Sequence, residues 1–322
     1  MMYSTVDFAV QAALVAFLVA AVAAPFTLGL LRKAGSRQKV SEHVPEHASK
    51  QGTPTMGGLI VLLGLAAAMA FVPSGERAVP IVLLVGFALI GFVDDFVVPR
   101  WLSHTRGLGW KQKFVLQAVV AAGAYWLGGA RDPWAMAFLV VVVMFFANAF
   151  NFSDGMDSLA GGLAVMMAIG FAVIGRMSMA DQPAEQAVLV MMAATAAAFV
   201  PFLFLNAPPA KVFMGDVCAL PVGALLGWAF LAVGRSTELV PGRENLWAAI
   251  IISLVMVVEL VPVPLQIASV KLRKGKRLFP RTPIHHAFQS AGWPETRVVW
   301  TFHLVQFVLV AVALGFMWRV AG

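Results

Sequence analysis

Five aspartates, Asp94, Asp95, Asp154, Asp157 and Asp216, each stand at the end of a long apolar run. One carboxylate in such a place is ordinarily a solvated boundary residue. Five that gather at one face, beside basic loops, are the donor set of a divalent-metal and phosphate site. A hard cation such as Mg²⁺ takes oxygen ligands, usually one or two carboxylates together with substrate phosphates. Spacing then sorts them. Asp94 and Asp95 are neighbours, about 100° apart on a helix of about 3.6 residues per turn. They need not serve one ion and can divide the tasks of ligand and proton acceptor. Asp154 and Asp157, at i and i+3, face the same way if Asp154 begins a helix. Asp216 follows Gly215 in a turn-like Phe-Met-Gly-Asp run.

A second group lies near the C-terminus. Pro283-Ile-His-His286 follows a basic stretch running from Lys271 to Arg281. A cationic loop with imidazoles suits an anionic diphosphate or lipid phosphate. A solvated loop explains the Lys and Arg equally well but leaves the His pair over. Just before it, Glu259 precedes Pro262 and Pro264 inside an apolar run. An intramembrane carboxylate is costly and faces protein or water, and proline bends a helix by removing a donor. Glu259 with Gln266 reads either as the lining of a substrate groove or as a packing kink with a satisfied carboxylate.

The elements that must position these groups are membrane helices. The chain is 60% hydrophobic and 12% charged, against roughly a quarter charged in soluble domains. Lipid is the solvent such a surface needs. Ten apolar stretches approach the length of a span, at about 6–31, 56–72, 78–93, 114–129, 134–150, 159–175, 187–205, 217–233, 246–270 and 298–320. All Lys and Arg except Arg77, Arg131, Arg176, Arg235, Arg243 and Arg319 then fall in odd-numbered loops. Basic residues mark the cytoplasmic side, so the expectation is an all-α integral membrane protein with both termini on the periplasmic or extracellular side. It is one polytopic domain, 1–322, with cytoplasmic loops at about 32–55, 94–113, 151–158, 206–216 and 271–297. The net charge of +7 then points to membrane lipids rather than nucleic acid. No cleavable signal peptide is expected, because no Lys or Arg precedes the first run. The single cysteine, Cys218, excludes an intrachain disulfide and a cysteine-rich metal site.

Taken in order, several blocks resemble a known family. Lys50-Gln-Gly-Thr-Pro-Thr-Met-Gly-Gly58, Asp94-Asp95-Phe96, Arg106-Gly-Leu-Gly-Trp-Lys-Gln-Lys-Phe114, Asn148-Ala-Phe-Asn-Phe-Ser-Asp-Gly-Met-Asp157, Pro209-Ala-Lys-Val-Phe-Met-Gly-Asp216 and Pro283-Ile-His-His286 resemble the motifs of the phospho-N-acetylmuramoyl-pentapeptide transferase branch of the polyprenyl-phosphate N-acetylhexosamine-1-phosphate transferase superfamily. The ends-out, ten-span arrangement matches that family too. Three motifs depart from the family pattern: Ala287 stands where a third His is usual, Val98 where a Lys closes the Asp-Asp motif, and Cys218-Ala219 where Gly-Ser is usual after Gly-Asp-x.

The resemblance implies a bacterial inner-membrane enzyme with its active site facing the cytoplasm. It would transfer phospho-N-acetylmuramoyl-pentapeptide from UDP-MurNAc-pentapeptide to undecaprenyl phosphate, giving lipid I and UMP with Mg²⁺. It implies catalytic roles for Asp94, Asp95, Asp216 and His285, and metal ligation by Asp216 with Asp154, or with Asp95 nearby. Phe213 would stack on uracil, with Lys50, Thr55, Asn151, Asp154, Asp157 and Asn206 as polar contacts. Lys113 and His285 would face phosphates, His286 the sugar, and Gln266 the nucleoside-sugar pocket. Homodimerisation is left open. Rival readings are a sister transferase using UDP-GlcNAc or a related sugar, which the altered third His keeps open, and a secondary transporter, whose site belongs at the bilayer midplane. Retention of all five aspartates argues against a non-catalytic scaffold.

Overall fold

The computed structural model describes residues 4–35, 52–101, 107–178, 182–235 and 243–321, and these are helical with no strand among them. Helix α1 (Thr5–Ala34) starts where Ser4 and Asp7 form a reciprocal capping box, satisfying amides that a helix start leaves bare. It is followed by α2 (Leu59–Ala68), which tightens into a 3₁₀ turn at Met69–Phe71, and by α3 (Ala78–Phe92). A π-helical turn, Val93–Val97, joins α3 to the short α4 (Val98–Trp101). Next come α5 (Trp110–Leu127), α6 (Pro133–Ser153), α7 (Leu159–Ser178), α8 (Pro183–Asn206) and α9 (Asp216–Arg235). The ninth expected span is broken into α10 (Glu244–Ile252), α11 (Leu254–Leu260) and α12 (Pro262–Leu272), the last break falling where Pro262 cannot donate. Helices α13 (Ile284–Ser290) and α14 (Glu295–Ala321) close the chain.

Among the described residues, eight helical stretches are long and apolar enough to cross a membrane. The remaining two expected spans, 56–72 and 114–129, do not meet that standard. Leu59–Phe71 is short, and α5 opens with Trp-Lys-Gln-Lys.

Helix α1 inverts the burial of a soluble amphipathic helix. In α1, Ala9, Ala12, Ala16, Ala20 and Ala24 are buried, while Val10, Leu14, Leu18, Val22 and Phe26 are exposed. Small residues let helix backbones approach where lipid gives no hydrophobic drive, and the large apolar side chains face outward. Helix α1 packs on α8 and on α2, where Ala16 lies against Gly64. At the centre stands α9, buried along most of its length against α3, α6, α7 and α10. Two glycines set its distance from its neighbours. A Cβ at Gly91 of α3 would lie 2.2 Å from the carbonyl oxygen of Asp216, and one at Gly223 would lie 2.6 Å from that of Phe146 on α6. Gly91 thus lets the end of α3, with its aspartates, rest directly on the N-terminus of α9.

Candidate active site

That contact assembles the carboxylates. Oxygens of Asp94, Asp95 and Asp216 all lie within 4.8 Å of one another, each residue half-buried. Both members of the Asp-Asp pair reach the cluster from within the π turn. Such a turn widens the helix by one residue per hydrogen-bonded ring, so consecutive side chains diverge less than on an α-helix. The separation expected from α-helical geometry does not apply at Val93–Val97.

Each carboxylate is held from a different element. Asp95 Oδ2 accepts from the Val217 amide at 3.0 Å, an N-terminal amide of α9 that has no partner within its helix and carries the positive end of the dipole. Asp94 Oδ1 accepts from the Leu108 amide at 2.7 Å, and Asp94 Oδ2 lies 3.2 Å from Lys113 Nζ. Lys113, in the first turn of α5, also pairs with Asp216. Asn151, in the last turn of α6, donates to Asp216 Oδ1 at 2.6 Å. Three carboxylates therefore face one ammonium, a formal charge of −2 when all three are ionised. At 4.8 Å each like-charge pair costs roughly 3 kcal/mol at an effective dielectric near 20. The donor set is all oxygen, and with every carboxylate ionised its uncompensated charge would match one divalent cation. The residues fit such an ion, and Asp94, Asp95 and Asp216 are those that would hold it.

Asp154 is placed otherwise than expected. It ends α6 rather than beginning a helix: its amide bonds the Asn151 carbonyl at 3.2 Å, and α7 starts only at Leu159. The same-face argument for Asp154 and Asp157 falls with it, since both lie in the connection. Asp154 is also outside the three-carboxylate group, which Asp94 and Asp95 complete instead.

Around the cluster, the other expected residues frame loops. Asn206 accepts from the Ser158 amide at 2.8 Å and donates to the Val212 carbonyl at 2.9 Å. Asp157 accepts from the Ala210 amide at 3.0 Å, and its own amide donates to Glu295 Oε1 at 2.8 Å. Phe213 donates to the Pro54 carbonyl and accepts from Gly57, at 2.9 and 2.8 Å. These bonds knit the 52–58 and 206–216 segments together, with Thr55 lying against Gly215. The half-buried ring of Phe213 sits in this frame. Gln266 is tied to the basic loop, accepting from the Leu278 and Phe279 amides at 2.9 and 3.0 Å and donating to the Phe279 carbonyl at 3.0 Å. His285 is fully buried against Glu259, and His286 bonds Gln289 Oε1 at 2.9 Å. Lys50 lies outside the described residues. Sequence reasoning missed Glu295 as the anchor of the 154–158 connection; its partner stands 138 positions away, and no local pattern announces it.

A bundle of helices apolar enough to cross a membrane, with an acidic cluster and a facing lysine, has the groups that a phosphoryl transfer needs. Residues 78–234 match the family model described as glycosyl transferase family 4, and residues 50–62 match signature 1 of phospho-N-acetylmuramoyl-pentapeptide-transferase. The chain is 34% identical to the phospho-N-acetylmuramoyl-pentapeptide-transferase of Staphylococcus epidermidis, over 94% of its own length and 97% of the relative's. It is 34% identical to the protein of the same name from Picosynechococcus, covering 93% and 84%, and 35% identical to that of Staphylococcus aureus, covering 94% and 97%. The chain belongs to the phospho-N-acetylmuramoyl-pentapeptide-transferase family.

Proposed function

We propose that this multi-pass membrane enzyme transfers phospho-N-acetylmuramoyl-pentapeptide from UDP-MurNAc-pentapeptide to undecaprenyl phosphate, giving lipid I and UMP. The proposal places the reaction at the cytoplasmic face of the bacterial inner membrane, the side to which most of the basic loop residues belong. The observation that carries it is the grouping of Asp94, Asp95 and Asp216 within 4.8 Å around Lys113, in a chain of this family.

The step forms a bond from a lipid-phosphate oxygen to the β-phosphorus of the nucleotide sugar. The bond from that phosphorus to the bridging oxygen breaks, and UMP leaves with the oxygen. Such a transfer depends on alignment and on neutralising charge rather than on covalent help. Asp216 and Asp95, with Asp94 beside them, would hold Mg²⁺, which when bound would supply charge neutralisation at the diphosphate. Lys113, already between two carboxylates, meets the phosphoryl oxygens as a point charge. Asp94 orients the lipid phosphate and takes its residual proton. A strong base is unnecessary, because the second pKa of a phosphate monoester is about 6. Phe213 stacks on uracil, with Lys50, Thr55, Asn206 and Asp157 about the nucleoside. His285, His286 and Gln266 serve the diphosphate and sugar side.

The test offers purified protein a panel of UDP-sugars with undecaprenyl phosphate and measures UMP. Release should be fastest with UDP-MurNAc-pentapeptide. Preference for UDP-GlcNAc would move the enzyme to the sister class.

A further inference from the structure

Glu259 belongs to none of the roles above, yet it is fully buried in a segment apolar enough to span the membrane. A carboxylate in such a place persists only if its oxygens are engaged. Both of Glu259's are spent on one residue. Oε2 lies 2.6 Å from Nδ1 of His285, and Oε1 accepts from the His285 backbone amide at 3.3 Å. The carboxylate thus grips the ring and the main chain of His285 together, at the start of α13. His285 is itself fully buried, and its other ring nitrogen, Nε2, has no partner. That nitrogen points at the 154–158 connection. A Cβ on Gly155 would come within 2.6 Å of His285 Nε2 and 3.5 Å of His286 Nε2. Two imidazole edges therefore converge on the one residue there that lacks a side chain.

We infer that Glu259 is a positioning residue: it holds the proton of His285 on Nδ1 and so presents Nε2, across Gly155, to a polar group of the nucleotide-sugar substrate. A carboxylate on one ring nitrogen fixes tautomer and orientation for whatever the other nitrogen meets. The break at Pro262 has a function in this arrangement, since it ends α11 just beyond Glu259 and lets the chain turn away into α12. Gly155 lets the Nε2 edge come up against the 154–158 connection with no side chain between them.

The kinetic part of the inference rests on the proposed transferase reaction; the tautomer part does not. Glu259→Gln keeps the side-chain shape and removes the charge that selects Nδ1–H. With UDP-MurNAc-pentapeptide and undecaprenyl phosphate, kcat should fall about 10–100-fold, the usual loss for an orienting partner, with KM changed less than about threefold. In a His285→Ala background the same change should cost no more than about twofold, because a residue acting through another loses its effect when that other is gone. Gly155→Ala, which leaves Glu259 untouched, should likewise slow the wild type and add little to His285→Ala. Histidine-selective ¹⁵N labelling, with the His285 signal identified by its loss in His285→Ala, should show protonated Nδ1 in wild type and a mixed or reversed tautomer in Glu259→Gln. Full additivity of Glu259→Gln with His285→Ala, or an unchanged tautomer, would overturn the inference and leave Glu259 a packing residue. A wild type that makes no UMP from any UDP-sugar would sink the functional reading instead, and the ¹⁵N spectra would then decide the positioning role alone.

Discussion

Asp216→Asn exchanges one carboxylate of the cluster for a neutral amide of the same shape. In the wild type, Asp94, Asp95 and Asp216 face one cation, Lys113, so the substitution halves the formal charge from −2 to −1. Two unit charges about 4 Å apart attract by about 1 kcal/mol even at the dielectric of bulk water, so a divalent ion loses at least about 2 kcal/mol. That is roughly a 30-fold rise in the metal concentration needed for half-maximal activity, at about 1.4 kcal/mol per tenfold. The fold should survive, because the change also removes two like-charge contacts that offset the altered bonds to Lys113 and Asn151. The assay is UMP release across a Mg²⁺ titration, with a thermal melt at each concentration. Ligand at about 100 times its Kd stabilises by about 2.7 kcal/mol, so wild type should melt higher with Mg²⁺ than with EDTA, and Asp216→Asn should need far more metal for the same gain. An unchanged half-saturation point in Asp216→Asn would refute the assignment of these carboxylates to a metal.

Asp94→Asn should also raise the metal requirement, since Asp94 shares the cluster, but it should stay slow at saturating Mg²⁺ by up to about 10²-fold, the lower end for a general base; full recovery with metal would limit Asp94 to charge. Gly91→Ala should destabilise the protein by roughly 1–3 kcal/mol and depress turnover, because its methyl would meet the Asp216 carbonyl at 2.2 Å; a wild-type melt and rate would mean that α3 and α9 need not touch there. A cysteine in place of the exposed Lys276 should react with an impermeant label only from the cytoplasm, and one in place of the exposed Ser74 only from outside. The reverse pattern would invert the proposed sidedness.

What the sequence disclosed followed the reach of each signal. Apolar runs report themselves, so most helices lie where the hydrophobic pattern places them, and the stop at Pro262 is chemical. The functional blocks were readable because each is a short contiguous run. Convergence was not. Asp95 meets the Val217 amide across 122 positions, and Lys113 meets Asp216 across 103; only the packing of α3 on α9, and of α5 on α3 and α6, creates those contacts. The π turn was invisible because Val-Asp-Asp-Phe-Val carries no residue that marks it. Asp154 shows the same limit. Nothing in Asn-Phe-Ser-Asp-Gly-Met-Asp says whether the aspartate ends one helix or begins the next. Glu259 was legible as an anomaly, a carboxylate in an apolar run, but its partner His285 became known only when α11 and α13 were seen together.

The most direct measurement is the mass of the lipid product formed from undecaprenyl phosphate and UDP-MurNAc-pentapeptide by purified protein with Mg²⁺. The account predicts undecaprenyl diphosphate bearing N-acetylmuramoyl-pentapeptide, formed in equal amount with UMP and abolished by EDTA. Release of UDP in place of UMP, or unaltered product formation in the presence of chelator, would contradict it.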